Sequence, residues 1–299
     1  MSAAKPFHLR LPATSANLGP GFDALGLAMA LYLTIDATPA DGFRIAATGR
    51  NADLCSSLDN NLILSTYTDV LTTANQPVTP LFLQLSNEIP LGMGCGSSAS
   101  ALLAGVLLAN HFGQLNWTSQ QILNEACRRE GHPDNVAACF LGGMTASAMV
   151  ESQVVTATYG VNLNWSLFLA LPSSSLATEK ARALLPDTCS YADAVANIQN
   201  TALLVSAFAL GRGDLLRTAM QDRLHQPYRM EACPLLPKLL PLTTNPGVLG
   251  VALSGAGPSV LVIADPASAS AVPGLIREAA ADPSLEVIET TIASAAALA

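Results

Sequence analysis

The sequence is poor in charge, and above all in lysine. Only 12% of its 299 residues are charged, and the 14 basic residues comprise three lysines (Lys5, Lys180 and Lys238) and eleven arginines. Acidic residues outnumber basic ones and give a net charge of -8, so we expect no nucleic-acid partner and no membrane partner. An anionic ligand must therefore be bound locally, by arginine, by backbone N–H groups or by a metal ion.

The chain lacks paired cysteines and long apolar runs. Its six cysteines include no C-x-x-C pair, and the N-terminal MSAAKPFHLR has no apolar secretion segment. The longest apolar runs, such as residues 101–109, fall short of the ~18 residues that span a bilayer. We therefore expect reduced thiols, no transmembrane segment and a cytoplasmic location.

Apolar residues, by contrast, make up 50% of the chain, which is enough for a sizeable buried core. The hydrophobic spacing predicts strands mixed with helices but no strict βα repeat, and so an α+β fold in two halves, 1–163 and 164–299. Predicted helices cover 98–112, 119–129, 136–141, 191–210 and 214–224, with a further one in TEKARALL, and predicted strands include LFLQL, WSLFLAL, GVLGVAL and SVLVIA.

A run of small residues, PLGMGCGSSAS (90–100), connects a predicted strand to a predicted helix. A Gly/Ser loop at a helix N-terminus suits a phosphate, because unpaired N–H groups and the helix dipole meet there. Ser97 and Ser98 stand where an N-cap hydroxyl would lie, and either could instead bind Mg²⁺. The loop has neither G-K-[ST] nor G-x-G-x-x-G. A tight turn with a serine cap therefore stays open as the alternative.

Acidic residues gather near the middle of this charge-poor chain, where Glu125, Glu130 and Asp134 fall within ten residues. Pro133 favours an extended His132, so that Asp134 and Asn135 would start the next helix. One interpretation is a simple helix cap. The other gives one carboxylate to Mg²⁺ and another to a substrate hydroxyl, as phosphoryl transfer requires.

Three more segments have the residue types of a binding site. PATSANLGPGFDALGL and SGAGPS (254–259) are turns rich in small residues, which let backbones approach closely. TEKAR and RLHQPYR carry arginines whose planar guanidinium suits a substrate carboxylate, although arginines more often cover a solvated surface.

PATSANLGPGFDALGLAM, PLGMGCGSSAS and ALSGAGPSV, in this order, resemble the GHMP small-molecule kinases, and the resemblance extends from about Leu9 to Ile263. EGHPDNVAACFLGG, TEKAR and HQPYR are similar to the branch that acts on L-homoserine. The resemblance implies a ribosomal protein S5 domain 2-like N-terminal domain (1–163) and a ferredoxin-like C-terminal domain (164–299). It further implies ATP-dependent phosphorylation of the side-chain hydroxyl of L-homoserine in threonine biosynthesis, with Mg²⁺, and a homodimer.

The resemblance assigns the nucleotide and metal roles. Asn61 would lie near the adenosine, Mg²⁺ would be held by Ser97 or Ser98 together with Glu130, and Glu125 is the second choice. The catalytic residues would be Asp134, Glu130 and Ser97, and SGAGP would buttress the phosphate loop. That loop would contact the ATP phosphates through Pro90, Leu91, Gly92, Met93, Gly94, Cys95, Gly96, Ser97, Ser98, Ala99 and Ser100.

The acceptor roles follow in the same way. Asp134 would contact the reacting hydroxyl, either as a general base or as a group that only orients it. The acceptor would be bound by Asn17, Asp23, Asp134 and Asn135, and its carboxylate end by Thr178, Arg182 and Arg229.

One position departs from the family pattern, because Cys95 replaces the usual leucine. We expect this small side chain to leave the backbone donors undisturbed but to make the loop sensitive to oxidation. Two other functions stay open: a GHMP kinase for another alcohol such as mevalonate, and a non-catalytic regulator that binds ATP or an amino acid.

Overall fold

The computed structural model describes residues 5–174 and 178–299. Its strands and helices mix without a strict βα repeat, which confirms the predicted α+β class. The strands are β1 (Phe7–Ala16), β2 (Leu25–Pro39), β3 (Arg44–Gly49), β4 (Leu81–Asn87), β5 (Met144–Val150), β6 (Gln153–Tyr159), β7 (Ser166–Leu171), β8 (Val248–Leu253), β9 (Val260–Ala264), β10 (Glu286–Thr290) and β11 (Ala297–Leu298).

The helices pack on both sheets. They are α1 (Ala52–Ser56), α2 (Leu62–Thr73), α3 (Ser97–Phe112), α4 (Ser119–Glu130), α5 (Asp134–Leu141), α6 (Thr178–Arg182), α7 (Tyr191–Leu210), α8 (Leu216–Ala219), α9 (Gln226–Arg229), α10 (Leu235–Leu239) and α11 (Val272–Ala280). Short 3₁₀ segments cover Gly213–Leu215, Leu240–Thr244 and Pro266–Ala271. Within the described ranges, no helix is both long and apolar enough to cross a membrane.

The first sheet has the order β11-β1-β2-β4-β3, and β5 pairs with the other end of β2 and with β6. β1 and β2 are antiparallel, with Leu9 opposite Ile35, whereas β3 runs parallel to β4. The C-terminal β11 returns to pair with β1, with Leu298 opposite Leu9. The last residues of the chain therefore lie with the first half, and the domain division at 163/164, which falls between β6 and β7, stays a prediction.

Helix α3 is buried on almost every side, between α2, α4, α5 and β1. Its Ala- and Leu-rich sequence allows this, because small side chains let neighbouring helices approach closely. At Gly105, an added Cβ would lie 2.6 Å from Cβ of Thr66 in α2. Helix α3 is thus packed tightly against its neighbours, and the loop 90–96 enters its N-terminus.

The second sheet is antiparallel throughout, in the order β10-β7-β9-β8. Strand side chains alternate between its faces: Leu167 and Leu169 join the main core, while Phe168 and Ala170 pack in a second core with residues of α10 and α11. The chain order of strands and helices gives the ferredoxin-like arrangement expected for the second half.

Two of the predicted helices differ from those observed. The helix predicted over 214–224 is wrong beyond Ala219, because the Asp222 carboxylate accepts backbone N–H bonds from Leu224 and Gln226 and so starts α9. The helix predicted in TEKARALL ends at Arg182. The helix predicted over 191–210 is confirmed as α7.

Candidate active site

One pocket brings together most of the segments that the sequence singles out. It lies where the loops after β1 and β4, the start of α5, helices α6 and α9 and the 254–259 turn meet. Its walls are Ala16, Asn17, Phe22, Asp23, Gly92, Gly94, Cys95, Gly96, Ser97, Ser98, Glu130, His132, Asp134, Asn135, Arg182, Arg229, Gly255 and Ala256.

The loop before α3 owes its shape to alternate glycines. Gly92, Gly94 and Gly96 have φ of 69°, 74° and 69°, a left-handed conformation that side chains disfavour. An added Cβ at Gly94 would lie 2.1 Å from the carbonyl oxygen of Ser254, and one at Gly96 would lie 1.9 Å from Oγ1 of Thr14. The backbone of the loop is therefore pressed against β1 and the 254–259 turn.

Gly96, not a serine, occupies the N-cap of α3, and no side chain caps this helix. The expectation of a serine N-cap is wrong, because the helix already begins at Ser97. The N–H groups of the first turn, from Ser97 to Ala99, have no partner within the helix. Ser97 and Ser98 line a cavity at the positive end of the helix dipole, which is the arrangement that binds phosphate.

The 254–259 turn packs on the loop as predicted. The Ser254 hydroxyl donates to the Gly94 carbonyl at 2.8 Å and lies 2.9 Å from the Ser15 hydroxyl. Gly255 N–H donates to the Ala16 carbonyl at 3.1 Å. These bonds tie the second sheet to the loop on the first sheet.

The environment of Cys95 contradicts the expectation that this residue makes the loop sensitive to oxidation. The Cys95 side chain is 1% exposed, and burial raises the pKa of the thiol to about 12. Oxidation proceeds through an accessible thiolate, which this environment does not provide. Cys95 is a small buried side chain that leaves the loop backbone free.

The side chains of Ser98 and Glu130 meet at the edge of the pocket, where the serine hydroxyl donates to Oε2 at 3.1 Å. Burial raises the pKa of Glu130, and the charge of His132 and the bond from Ser98 oppose that rise. Glu125 instead forms ion pairs with Arg128 and Arg129. Of the two glutamates proposed for Mg²⁺, Glu130 is the one that lines the pocket.

Asp134 begins α5, as predicted, and is 2% exposed. Its Oδ1 accepts the Asn135 N–H and the His132 ring N–H, both at 2.7 Å. Among the described residues no hydrogen bond reaches Oδ2, and Asp134 lines the pocket. Thr14 fixes the neighbouring amide by donating to Oδ1 of Asn135 at 2.7 Å.

His132 received no role from the sequence, although it stands two residues before Asp134. Burial lowers its pKa, but the bond to Asp134 and the charges of Asp134, Glu130 and Asp23 outweigh burial and raise it. One ligand atom each of Asp23, His132 and Asp134 lies within 4.8 Å of the others. The pocket therefore holds two carboxylates and a histidine close together.

Two arginines supply the opposite charge. The guanidinium of Arg182 forms a two-bond ion pair with Asp23, at 3.0 and 2.5 Å. Arg229 is 1% exposed, and among the described residues no carboxylate pairs with it. The guanidinium carbons of Arg182 and Arg229 lie 5.4 and 5.5 Å from the ring centre of Phe22, which the sequence reasoning missed.

Asn61 lies in a neighbouring pocket that shares Ser97 with the first. It caps α2, with Oδ1 accepting the Leu64 N–H at 3.2 Å and Nδ2 donating to the Ser57 carbonyl at 3.0 Å. Apolar side chains of β2, α1 and α2 form much of this second pocket, among them Leu33, Leu54 and Ile63. The phosphate loop thus separates a polar pocket from a more apolar one.

The remaining predicted residues are placed as follows. Thr178 begins α6, but its side chain lies outside the described part of the structure. Pro90, Met93, Ala99 and Ser100 belong to the loop or the start of α3 without lining the first pocket, and Leu91 and Ser100 line the second.

Known proteins match the chain along most of its length. Residues 61–143 match the family model of the GHMP kinases N terminal domain, and residues 204–279 match that of the GHMP kinases C terminal domain. Homoserine kinase of Solibacter usitatus is 48% identical over 88% of this chain and 86% of that protein. Homoserine kinase of Desulfitobacterium hafniense is 40% identical over 86% of each chain. The crystal structure of homoserine kinase from Cytophaga hutchinsonii matches with a TM-score of 0.84 at 25% identity, over 100% of this chain and 99% of that one.

Proposed function

The chain belongs to the GHMP kinase family, and we propose that within it the protein is a homoserine kinase. It transfers the γ-phosphoryl group of ATP to the side-chain hydroxyl of L-homoserine and yields O-phospho-L-homoserine for threonine synthesis. The observation that carries this proposal is Arg229, a buried cation without a carboxylate partner among the described residues, in the same pocket as Asp134 and the phosphate loop.

The acceptor end of the pocket suits a zwitterionic amino acid. A buried guanidinium is costly unless an anion pairs with it, and the α-carboxylate of homoserine would supply that anion to Arg229. Arg182 and Asp23 already form a pair of opposite charges, to which the carboxylate and ammonium of the substrate are complementary. Asn17 supports this end of the pocket, because its Oδ1 accepts the Asp23 N–H at 3.0 Å.

The nucleotide end relies on the main chain. The phosphates of ATP would accept bonds from the N–H groups of the loop and the first turn of α3, and the adenosine would occupy the pocket beside Asn61. The Ser98 hydroxyl and the Glu130 carboxylate, 3.1 Å apart, are the hard oxygen donors that Mg²⁺ prefers, and Ser97 is the alternative hydroxyl. Bound Mg²⁺ would neutralise charge on the phosphates.

Phosphoryl transfer is then largely a matter of positioning, because its transition state is loose. Asp134 lines the pocket, and His132 and Asn135 fix its carboxylate by their bonds to Oδ1. The carboxylate can accept a hydrogen bond from the acceptor hydroxyl and thereby orient it, or remove its proton as the phosphoryl group arrives.

The proposed setting of the enzyme is the cytoplasm. All six cysteines are free thiols, which suits a reducing compartment. A homodimer stays a prediction of the family resemblance.

A coupled assay of ADP release tests the function. Purified protein with ATP and Mg²⁺ is given L-homoserine, mevalonate, L-serine or no acceptor, and we expect ADP above background only with homoserine. ADP release with mevalonate instead would favour a different member of the family. Nucleotide binding without any acceptor-dependent ADP would favour the non-catalytic regulator and contradict the proposal.

A further inference from the structure

A buried chain of hydrogen bonds lies behind Arg229 and runs through His225, to which the proposed mechanism gives no role. The His225 side chain is fully buried. Its Nδ1 lies 3.0 Å from Nη1 of Arg229, and its Nε2 lies 2.8 Å from the carbonyl oxygen of Gly19. The ring therefore connects the segment between β1 and β2 to α9.

These two contacts define the protonation of the ring. A guanidinium can only donate hydrogen bonds and a carbonyl oxygen can only accept them. Nδ1 must therefore be the unprotonated acceptor, and Nε2 must carry the proton. A second proton on Nδ1 would place two donors against each other and break the bond to Arg229.

Burial keeps the His225 ring neutral. Burial lowers its pKa, the charge of Asp222 opposes this, and the charge of Arg229 lowers the pKa further. Asp222 Oδ2 lies 3.6 Å from Nε2, but this carboxylate is already engaged by backbone N–H groups at the start of α9. Asp23, across the pocket, is the remaining carboxylate that acts on the ring.

Arg229 is held at two places on its guanidinium. Nη1 donates to His225, and Nε donates to the Ala181 carbonyl at 3.2 Å. A guanidinium has five N–H donors in a rigid plane, so these two bonds fix its orientation and leave other donors for the pocket that Arg229 lines.

We propose that His225 is a positioning residue for the substrate carboxylate: its neutral ring holds the Arg229 guanidinium in the orientation that binds the acceptor. This inference rests on the proposed function, since it takes the α-carboxylate of homoserine as the ligand of Arg229. Protonation of His225 removes the acceptor that orients Arg229. Homoserine binding is therefore strongest above the pKa of His225 and weakens as the pH falls through it.

Two substitutions at His225 separate this role from simple packing. His225→Asn keeps an acceptor oxygen near the position of Nδ1, whereas His225→Gln carries its amide near Nε2 and keeps only the donor to Gly19. Both remove the ring, so both lose its packing. We expect His225→Gln to raise the KM for homoserine on the order of tenfold and His225→Asn to recover much of that loss, with the KM for ATP little changed in either.

The pH profile gives a readout that packing does not move. For the wild type, we expect the KM for homoserine to rise as the pH falls through the pKa of His225, which burial places below the ordinary histidine value, whereas His225→Asn has no ring to titrate and loses this rise. His8→Gln is the matched control, because His8 is a histidine of β1 outside the pocket. We expect this variant to leave both KM values unchanged. Thermal melting of each variant reports its folding.

Equal increases in KM for the two variants, or a pH dependence retained by His225→Asn, would overturn the inference. If His225→Asn fails to fold, the wild type still tests the inference. A wild-type KM for homoserine that does not change at low pH would overturn it. Failure of the proposed function is a separate outcome, because it is seen in the wild type as an absence of homoserine-dependent ADP.

Discussion

The two ends of the pocket offer opposite kinds of groups to a ligand. The end at residues 90–100 offers backbone N–H groups and a helix N-terminus, and its glycines leave no room for side chains. The end formed by Asp23, Asp134, Arg182 and Arg229 relies on charged side chains. A substitution that adds a side chain should therefore impair binding at the first end, whereas a substitution that removes a charge should impair binding at the second.

The largest effect is expected at Asp134, where the two ends meet. Asp134→Asn keeps the shape but removes the charge next to the acceptor hydroxyl. If the carboxylate acts as a general base, kcat should fall on the order of 10²–10⁴-fold, as measured by ADP release across a pH series. A loss of only a small factor would rule out the general base and leave Asp134 as an orienting group.

The main-chain end is tested by adding one methyl group. In Gly96→Ala, the new Cβ meets Oγ1 of Thr14, which an unshifted loop would place 1.9 Å away. We expect kcat/KM for ATP to fall on the order of 100-fold, as when about 2.7 kcal/mol of phosphate binding is lost.

Gly211→Ala is the matched control for that loop variant. Gly211 has a similar φ of 66° but lies at the end of α7, where a Cβ would meet only the end of the Leu163 side chain at 3.2 Å. It should lower the melting temperature through backbone strain and leave the KM for ATP unaltered. A Gly96→Ala enzyme with normal ATP kinetics would contradict the assignment of the loop.

The charged end is tested by Arg182→Ala, which removes the partner of Asp23. We expect the KM for homoserine to rise about tenfold, since one half-exposed charged contact is lost, with the KM for ATP nearly constant. Arg212→Ala breaks a comparable but fully exposed pair with Asp214 and should change neither value. Equal increases in both KM values would show that Arg182 does not serve the carboxylate specifically.

The smallest effect is expected at Cys95, a side chain in the main-chain end. Cys95→Ala should leave kcat and both KM values within about twofold, since the loop acts through its backbone. Mass spectrometry after peroxide treatment should find the exposed Cys189 modified well before Cys95, whose thiol has a pKa raised to about 12. Early modification of Cys95 would mean that the loop opens to solvent.

The same contrast explains how much the sequence could predict. The phosphate loop, α3 and the start of α5 were predictable, because Gly/Ser punctuation and Pro133 act locally on the chain. The contacts of Phe22 and His225 with Arg229 were not, since they form only when distant segments meet. The helix expected over 214–224 was wrong for a related reason: the Asp222 carboxylate accepts the Gln226 N–H at the start of α9, and hydrophobic spacing does not show such a bond from a side chain to the backbone.

The most direct test is the kinetic separation of the two ends at Arg229. Arg229→Lys keeps the buried charge but loses the planar fork that would bind the α-carboxylate, and it is measured with homoserine and ATP varied in turn. We expect a KM for homoserine raised on the order of 10–100-fold and a KM for ATP within about twofold of the wild type. A variant whose KM for homoserine is unchanged, or whose KM for ATP rises equally, would contradict the claim that Arg229 binds the acceptor carboxylate.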